Sequence, residues 1–415
     1  MQKIRTLVVD DSSFVRIAIS EALSCDPEVE VIGTAANGRI ALDCIRELKP
    51  DVITLDVDMP EMDGMAALRE LRQNHPNLPV IMCSVLTEKG AIAALDALAI
   101  GATCCVTKPT RSSSLQDSIL QLRGELLPKV KSLGPKSIAE RRARIVAARR
   151  AAARAKAESK PELEGSTAQT EEPESSAIAP QESIGQAPVR PAVRVARSAP
   201  TRVTHIAPRG RVDIVVIGVS TGGPNALAKL LPSLPANFPV PIAIVQHMPP
   251  LFTKLVAERL NFQSPLHIAE ARDSEVLLPG GAWIAPGDHH MLLEKTGSLI
   301  RARLNQDLPE QFCRPSVDVL FRSAVQTFGG NVLAIVLTGM GNDGTAGARE
   351  IRAKGGQVIV QDEESSVVWG MPGSIVEAGQ ADAVLPIDGI ASEILQRVMV
   401  GRKPSITPAN VDQTK

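Results

Sequence analysis

The chain has 415 residues, a hydrophobic fraction of 44% and a formal net charge of −1. These values exclude a disordered chain or a charge-driven nucleic-acid coat, and they suggest two or three globular domains. Aromatic residues make up only 2%, so base-stacking surfaces are not expected, and scattered cysteines without a CxxC pair indicate neither a disulfide framework nor a zinc site.

The N-terminus enters an apolar run at once (KIRTLVVD), leaving no room for a secretory signal. No apolar run approaches the ~18 residues that span a bilayer, so a cytoplasmic protein without membrane insertion is expected. From residue 3 to about 127, the runs IRTLVVD, EVEVIGTA, DVITLD, PVIMCS and ATCCVT alternate with helix-period segments such as 13–24 and 39–48. Five βα units predict a mostly parallel, doubly wound α/β sheet, closed by a helix from Ser114 to about Leu126.

The composition then shifts. Ser137-Ile138-Ala139-Glu140 reads as a capping box opening an Ala/Arg block, and acidic Pro/Ser/Glu-rich and Pro/Ala/Val/Arg stretches follow. A flexible linker over 128–210 with a possible Ala/Arg helix is expected. From 211 to 402 a second α/β pattern runs, with VDIVVIGV, PIAIVQH, VLAIVLTG and QVIVQD as near-continuous apolar strands. WIAPGDHHMLL and SLIRARL read as a hairpin between the second and third of these, and 403–415 as a tail.

Two sets of residues carry chemistry. Asp10, Asp11 and Asp56 close the first and third strands, where open α/β sheets collect ligands. Ser84 and Lys108 close two more strands. Three clustered carboxylates repel one another, which favours a divalent cation among them; helix capping accounts for Asp10 and Asp11 but not for Asp56, Ser84 and Lys108. With VVDDS, LDVDMPEMDG, MCSVL and VTKP in order, residues 1–127 resemble the receiver domain of two-component response regulators. That resemblance implies a flavodoxin-like five-stranded parallel sheet, Asp56 as phospho-acceptor and a histidine kinase as phosphodonor. It also implies Mg²⁺ held by Asp10, Asp11 and Asp56, with Ser84 and Lys108 as switch residues. Cys105 stands where many receivers carry an aromatic residue.

In the second half, GVSTGG joins a strand to a helix. Three readings fit: a phosphate loop, a strained turn projecting Ser220 as a nucleophile, or a capped tight turn. The nearest lysine, Lys229, lies well inside the helix, which weakens the phosphate loop. A serine nucleophile needs a base and an orienting acid. His247 ends PIAIVQH and Asp343 follows VLAIVLTG, so three strands deliver Ser, His and Asp to one rim. His75, His205, His267, His289 and His290 are weaker candidates, the last two in an expected hairpin turn.

The order Ser…His…Asp differs from the α/β-hydrolase, chymotrypsin and subtilisin orders. IGVSTGGPNAL, VQHMP, IAPGDHH, RPSVDVLFRS, LTGMGNDGTAG and WGMPGSIVEAG resemble the catalytic domain of the chemotaxis protein-glutamate methylesterases, the CheB family. The resemblance implies a doubly wound α/β esterase with a β-hairpin and with Ser220, His247 and Asp343 as nucleophile, base and orienting acid. It further implies Thr221 and Met340 at the oxyanion rim and no cofactor for the esterase. The implied substrate is glutamate γ-methyl ester on the cytoplasmic helices of chemoreceptors, with receptor glutamine deamidation alongside and control by phosphorylation. Two alternatives are the same chemistry in a non-flagellar chemosensory pathway, or a phosphorylation-gated binding module with an idle hydrolase fold.

Overall fold

The computed structural model describes residues 3–85, 87–109, 114–134 and 210–402. The Ala/Arg block and most of the expected linker lie outside them. The first half forms β1 (Ile4–Val9), α1 (Ser13–Ser24), β2 (Val29–Ala35), α2 (Gly38–Leu48), β3 (Val52–Asp56), α3 (Gly64–Asn74), β4 (Val80–Ser84), α4 (Glu88–Ile100), β5 (Cys104–Thr107) and α5 (Leu115–Leu133). The strands pair in parallel in the order β2-β1-β3-β4-β5, as expected. The order reverses between β1 and β3, so a crevice opens at their carboxyl ends.

Local chemistry sets the helix starts. The side chains of Asn37, Asp63 and Thr87 accept from the backbone N–H three residues on, at 2.8, 2.7 and 3.1 Å, satisfying donors a helix start leaves free. The last helix runs past its expected end at Leu126 to Leu133, with Pro128 inside it. Leu126, Val130 and Leu133 are buried on its inner face, where it packs on α1. That apolar burial outweighs the proline's lost hydrogen bond.

The second half supplies β6 (Ile214–Val219), α6 (Gly223–Leu230), β7 (Ile242–Gln246), α7 (Phe252–Gln263), β8 (His267–Glu270), β9 (Val276–Leu277), β10 (Gly281–Ile284), β11 (His290–Thr296), β12 (Leu299–Asn305), α8 (Val317–Phe328), β13 (Val332–Val336), α9 (Thr345–Ala353), β14 (Gln357–Gln361), α10 (Gly370–Glu377), β15 (Ala383–Leu385) and α11 (Ile387–Met399). A seven-stranded parallel sheet has the order β15-β14-β13-β6-β7-β10-β8. Every residue of β6, β7, β13 and β14 is buried, which is why these strands read as unbroken apolar runs.

The hairpin differs from its expected extent. Trp283 and Ile284 belong to the parallel sheet through β10, whose residues are all buried. Only β11 and β12 form the antiparallel pair, closed between Thr296 and Leu299, and β9 adds a third strand. His290 therefore opens a strand instead of sitting in the hairpin turn, and it is buried. Half-exposed β11–β12 and fully buried β10 carry different patterns, but the short loop between them merges the two in sequence.

The halves touch. Helix α4 packs against α6 and α7. Asn225 Nδ2 donates to Leu98 O at 2.9 Å and Arg259 Nη1 pairs with Asp96 Oδ1 at 3.0 Å. Ala91 and Ala94 of α4 share a small buried cluster with Phe252.

Candidate active site

Strands β13, β6 and β7 are adjacent, and Asp343, Ser220 and His247 follow them. The GVSTGG turn is held by its backbone: Ser220 N donates to Thr338 O at 3.0 Å, and Thr338 Oγ1 donates to Thr221 O at 2.8 Å. Gly222 sits at φ +82, where a Cβ would also lie 2.6 Å from Val367 Cγ2. Only glycine takes that place without strain. A Cβ on Gly339 would stand 2.9 Å from Ser220 Cβ, so the TG step after β13 lets the two strand ends close up.

His247 Nε2 lies 2.8 Å from Asp343 Oδ2. Asp343 is buried and accepts three further hydrogen bonds: from Val317 N on Oδ2, and from Asp318 N and Ser316 Oγ on Oδ1, at 2.8, 2.8 and 3.0 Å. Two of these donors are free N–H groups at the start of α8, so the carboxylate also caps that helix. The RPSVDV stretch thus builds the acid's cradle, a role its sequence did not disclose. Behind it, Ser316 N donates to His290 Nδ1 at 3.2 Å and His290 Nε2 bonds Leu308 O at 3.2 Å, which fixes the neutral tautomer of His290.

Asp343 sets the state of His247. Burial disfavours the imidazolium, but the Asp343 hydrogen bond and the Cys313 contact outweigh it and raise His247 to about 10. Burial alone would raise Asp343; His247 and the α8 N–H groups reverse that and hold it below the ordinary carboxylate value. With Nε2 engaged by the acid, Nδ1 is the nitrogen left for proton transfer, and Cys313 Sγ stands 3.7 Å from it. Among the described residues no hydrogen bond joins Ser220 Oγ to His247. Ser220, Thr221, His247, Cys313 and Met340 share one cavity of about 490 Å³, whose opposite wall is Cys105, Glu125, Pro128 and Lys129.

At the other sheet's edge, Lys108 Nζ bridges Asp10 Oδ2 at 2.7 Å and Asp56 Oδ1 at 2.6 Å. Both carboxylates are buried while Asp11 is exposed. Burial and then the Asp10 charge push Asp56 up to about 6, against the pull of Lys108. Burial likewise raises Asp10. Carboxylate oxygens of Asp10, Asp11 and Asp56 lie within 4.8 Å of one another, a hard oxygen set that suits Mg²⁺. Ser84 Oγ is buried without a hydrogen-bond partner among the described residues.

All the residues singled out from sequence at each edge therefore lie together there. Cys313 and Ser316 were missed because a lone cysteine and a serine beside proline carry no signal until the 306–316 loop folds over His247.

Comparison with known proteins agrees with both halves. The response regulator receiver domain model matches residues 6–120 and the CheB methylesterase model residues 215–394. A protein-glutamate methylesterase/protein-glutamine glutaminase of Nocardioides sp. is 44% identical over 99% of this chain and 99% of its own. One from Trichodesmium erythraeum is 43% identical over 96% of this chain and 100% of its own. The crystal structure of the Thermotoga maritima CheB methylesterase catalytic domain is 44% identical, with a TM-score of 0.44, over 45% of this chain and 99% of that one. The architecture is that of a response regulator whose output is a hydrolase. The chain belongs to the protein-glutamate methylesterase/protein-glutamine glutaminase family. Among the described residues no helix is long and apolar enough to cross a membrane.

Proposed function

We propose that the chain hydrolyses glutamate γ-methyl esters on the cytoplasmic helices of chemoreceptors, through Ser220, His247 and Asp343. The observation carrying this reading is the 2.8 Å His247–Asp343 bond beside a cavity that Ser220 also lines. Ser220 Oγ attacks the ester carbonyl as His247 Nδ1 takes its proton. The Oγ–acyl bond forms and the C–OCH₃ bond breaks, with the His247 proton leaving on methanol. Water then attacks the acyl-enzyme by the same route and frees the glutamate. Backbone donors at Thr221 and Met340 would hold the oxyanion. A glutamine side chain presents the same carbonyl with ammonia as leaving group, which makes deamidation the companion activity.

Control lies with a receiver over residues 1–127 whose last helix continues to Leu133, joined by the rest of 128–210 to an esterase over 211–402, with 403–415 as a tail. Asp56 would take phosphate from a chemotaxis histidine kinase in the cytoplasm. Asp10, Asp11 and Asp56 would hold Mg²⁺, which supplies charge neutralisation for the incoming phosphoryl group. Lys108 offsets negative charge at Asp56, and Ser84 Oγ, which has no hydrogen-bond partner among the described residues, would bond a phosphoryl oxygen. The unphosphorylated receiver narrows access to Ser220, because its β5 and α5 residues form the far wall of that cavity.

The test is methanol release from methylated receptor. Ser220→Ala should lower turnover by roughly 10⁴–10⁶, since triad members act as a unit. Retention of most activity would overturn the nucleophile assignment.

A further inference from the structure

Cys313 has no part in ester hydrolysis as described, yet it occupies a telling place. Its sulfur faces His247 Nδ1 at 3.7 Å, while Nε2 is held by Asp343. We propose that Cys313 Sγ and His247 Nδ1 form a site for a thiophilic divalent cation of the zinc type. Its occupancy withdraws the nitrogen lone pair that the esterase uses.

Three features converge on this. The first is spacing. Zinc bonds sulfur at about 2.3 Å and imidazole nitrogen at about 2.05 Å, which puts two tetrahedral ligands about 3.6 Å apart. The observed separation of 3.7 Å is within about 0.1 Å of that value. The second is the tautomer. With Nε2–H given to a carboxylate, Nδ1 is the nitrogen left to meet a metal once the proton between it and Cys313 has gone, and a histidine that binds metal through one nitrogen while giving its other N–H to a carboxylate is a recurrent arrangement. Asp343 already accepts hydrogen bonds on both oxygens, so it serves as that outer partner and not as a ligand. The third is room. Both groups line the cavity of about 490 Å³, where water can complete the coordination.

The donor types separate this site from the carboxylate cluster of Asp10, Asp11 and Asp56. Nitrogen and sulfur select zinc-like ions, whereas a set of oxygens selects magnesium. Other thiols are poorer candidates. Burial pushes Cys105 on the facing wall up to about 11 and Cys104 up to about 12. On binding, the one proton held between Cys313 Sγ and His247 Nδ1 passes to solvent as the sulfur–metal and nitrogen–metal bonds form. The hydrogen bond seen at this spacing and a bound cation compete for the same two atoms.

The binding half stands on geometry alone, while the inhibitory half rests on the reading of His247 as the base. The test uses the full-length chain, stripped of metal and held in excess Mg²⁺ to occupy the carboxylate cluster, then titrated with Co²⁺ or Zn²⁺. One equivalent of Co²⁺ should give a thiolate-to-cobalt charge-transfer band in wild type and in Ser220→Ala, and none in Cys313→Ser or Cys313→Ala. Zn²⁺ should slow iodoacetamide alkylation of Cys313 in wild type, which needs no variant, while leaving exposed Cys25 unprotected. It should inhibit methanol release at least tenfold more tightly in wild type than in Cys313→Ser, each measured against its own metal-free rate. A band that survives in both Cys313 variants, or no band and no protection, would overturn the site and leave the esterase reading intact. Binding and protection without inhibition would keep the site, overturn the inhibitory half and remove His247 from the role of base.

Discussion

Reversing the charge of Arg259 should loosen the unphosphorylated receiver and raise basal esterase activity. Arg259 of α7 pairs with Asp96 of α4 at 3.0 Å, with side chains 34% and 54% exposed. An exposed pair of this kind contributes about 0.2–1 kcal/mol, and Arg259→Glu replaces it with a repulsion of similar size. The docked state should lose roughly 0.5–2 kcal/mol, a twofold to thirtyfold shift toward the open state at about 1.4 kcal/mol per decade. The Asn225–Leu98 bond and the Phe252 contacts remain, so undocking stays partial. Methanol release by full-length protein without phosphodonor should rise within that range, and the stimulation by phosphodonor should shrink correspondingly. Asp96→Arg added to Arg259→Glu restores an opposite-charge pair and should return the basal rate toward wild type, as a double-mutant cycle requires of a direct contact. Unchanged basal and stimulated rates in Arg259→Glu, with a normal fold, would refute occlusion through this face.

Asp343→Asn should cost about 10⁴ in turnover. It should also move the acid limb of the kcat/KM profile downward: Asp343 raises His247 above the ordinary 6–7, wild-type activity is gained as pH rises through that raised value, and the variant loses the carboxylate that raises it. Asp56→Asn should abolish labelling by a phosphodonor while preserving the fold, and chelating Mg²⁺ should do the same to wild type; stable phosphate on another residue of the variant would refute the acceptor assignment.

Much of this was legible in the sequence because parallel strands buried on both faces announce themselves as apolar runs. VDIVVIGV, PIAIVQH and VLAIVLTG became β6, β7 and β13, and their ends carry Ser220, His247 and Asp343. What stayed hidden was tertiary. The α5 extension past Pro128 depends on α1, the placement of His290 on which residues pair with β12, and the cradle of Asp343 on a helix start 25 residues away in sequence. The raised His247 was hidden for the same reason: an unperturbed histidine is a sequence property, while its pairing with a buried carboxylate is not.

The cavity wall suggests how short the path from Asp56 to Ser220 can be. β5 spans Cys104–Thr107, and Lys108, which bridges Asp10 and Asp56, follows it directly. Cys105 of the same strand lines the cavity containing Ser220 and packs near Ala94 and Phe252. Ser84 ends β4, and α4 begins four residues later. New charge at Asp56 would therefore act on groups whose next neighbours already form the docking face. Many receivers use an aromatic side chain at the Cys105 position, but a cysteine has no ring to swing between pockets. That leaves the β5 and α4 backbones as the carriers of the coupling proposed here. A two-state shift of a packed element is a sufficient physical carrier, and a coupling of about 1–3 kcal/mol is comparable to the few polar contacts that hold α4 against α6 and α7.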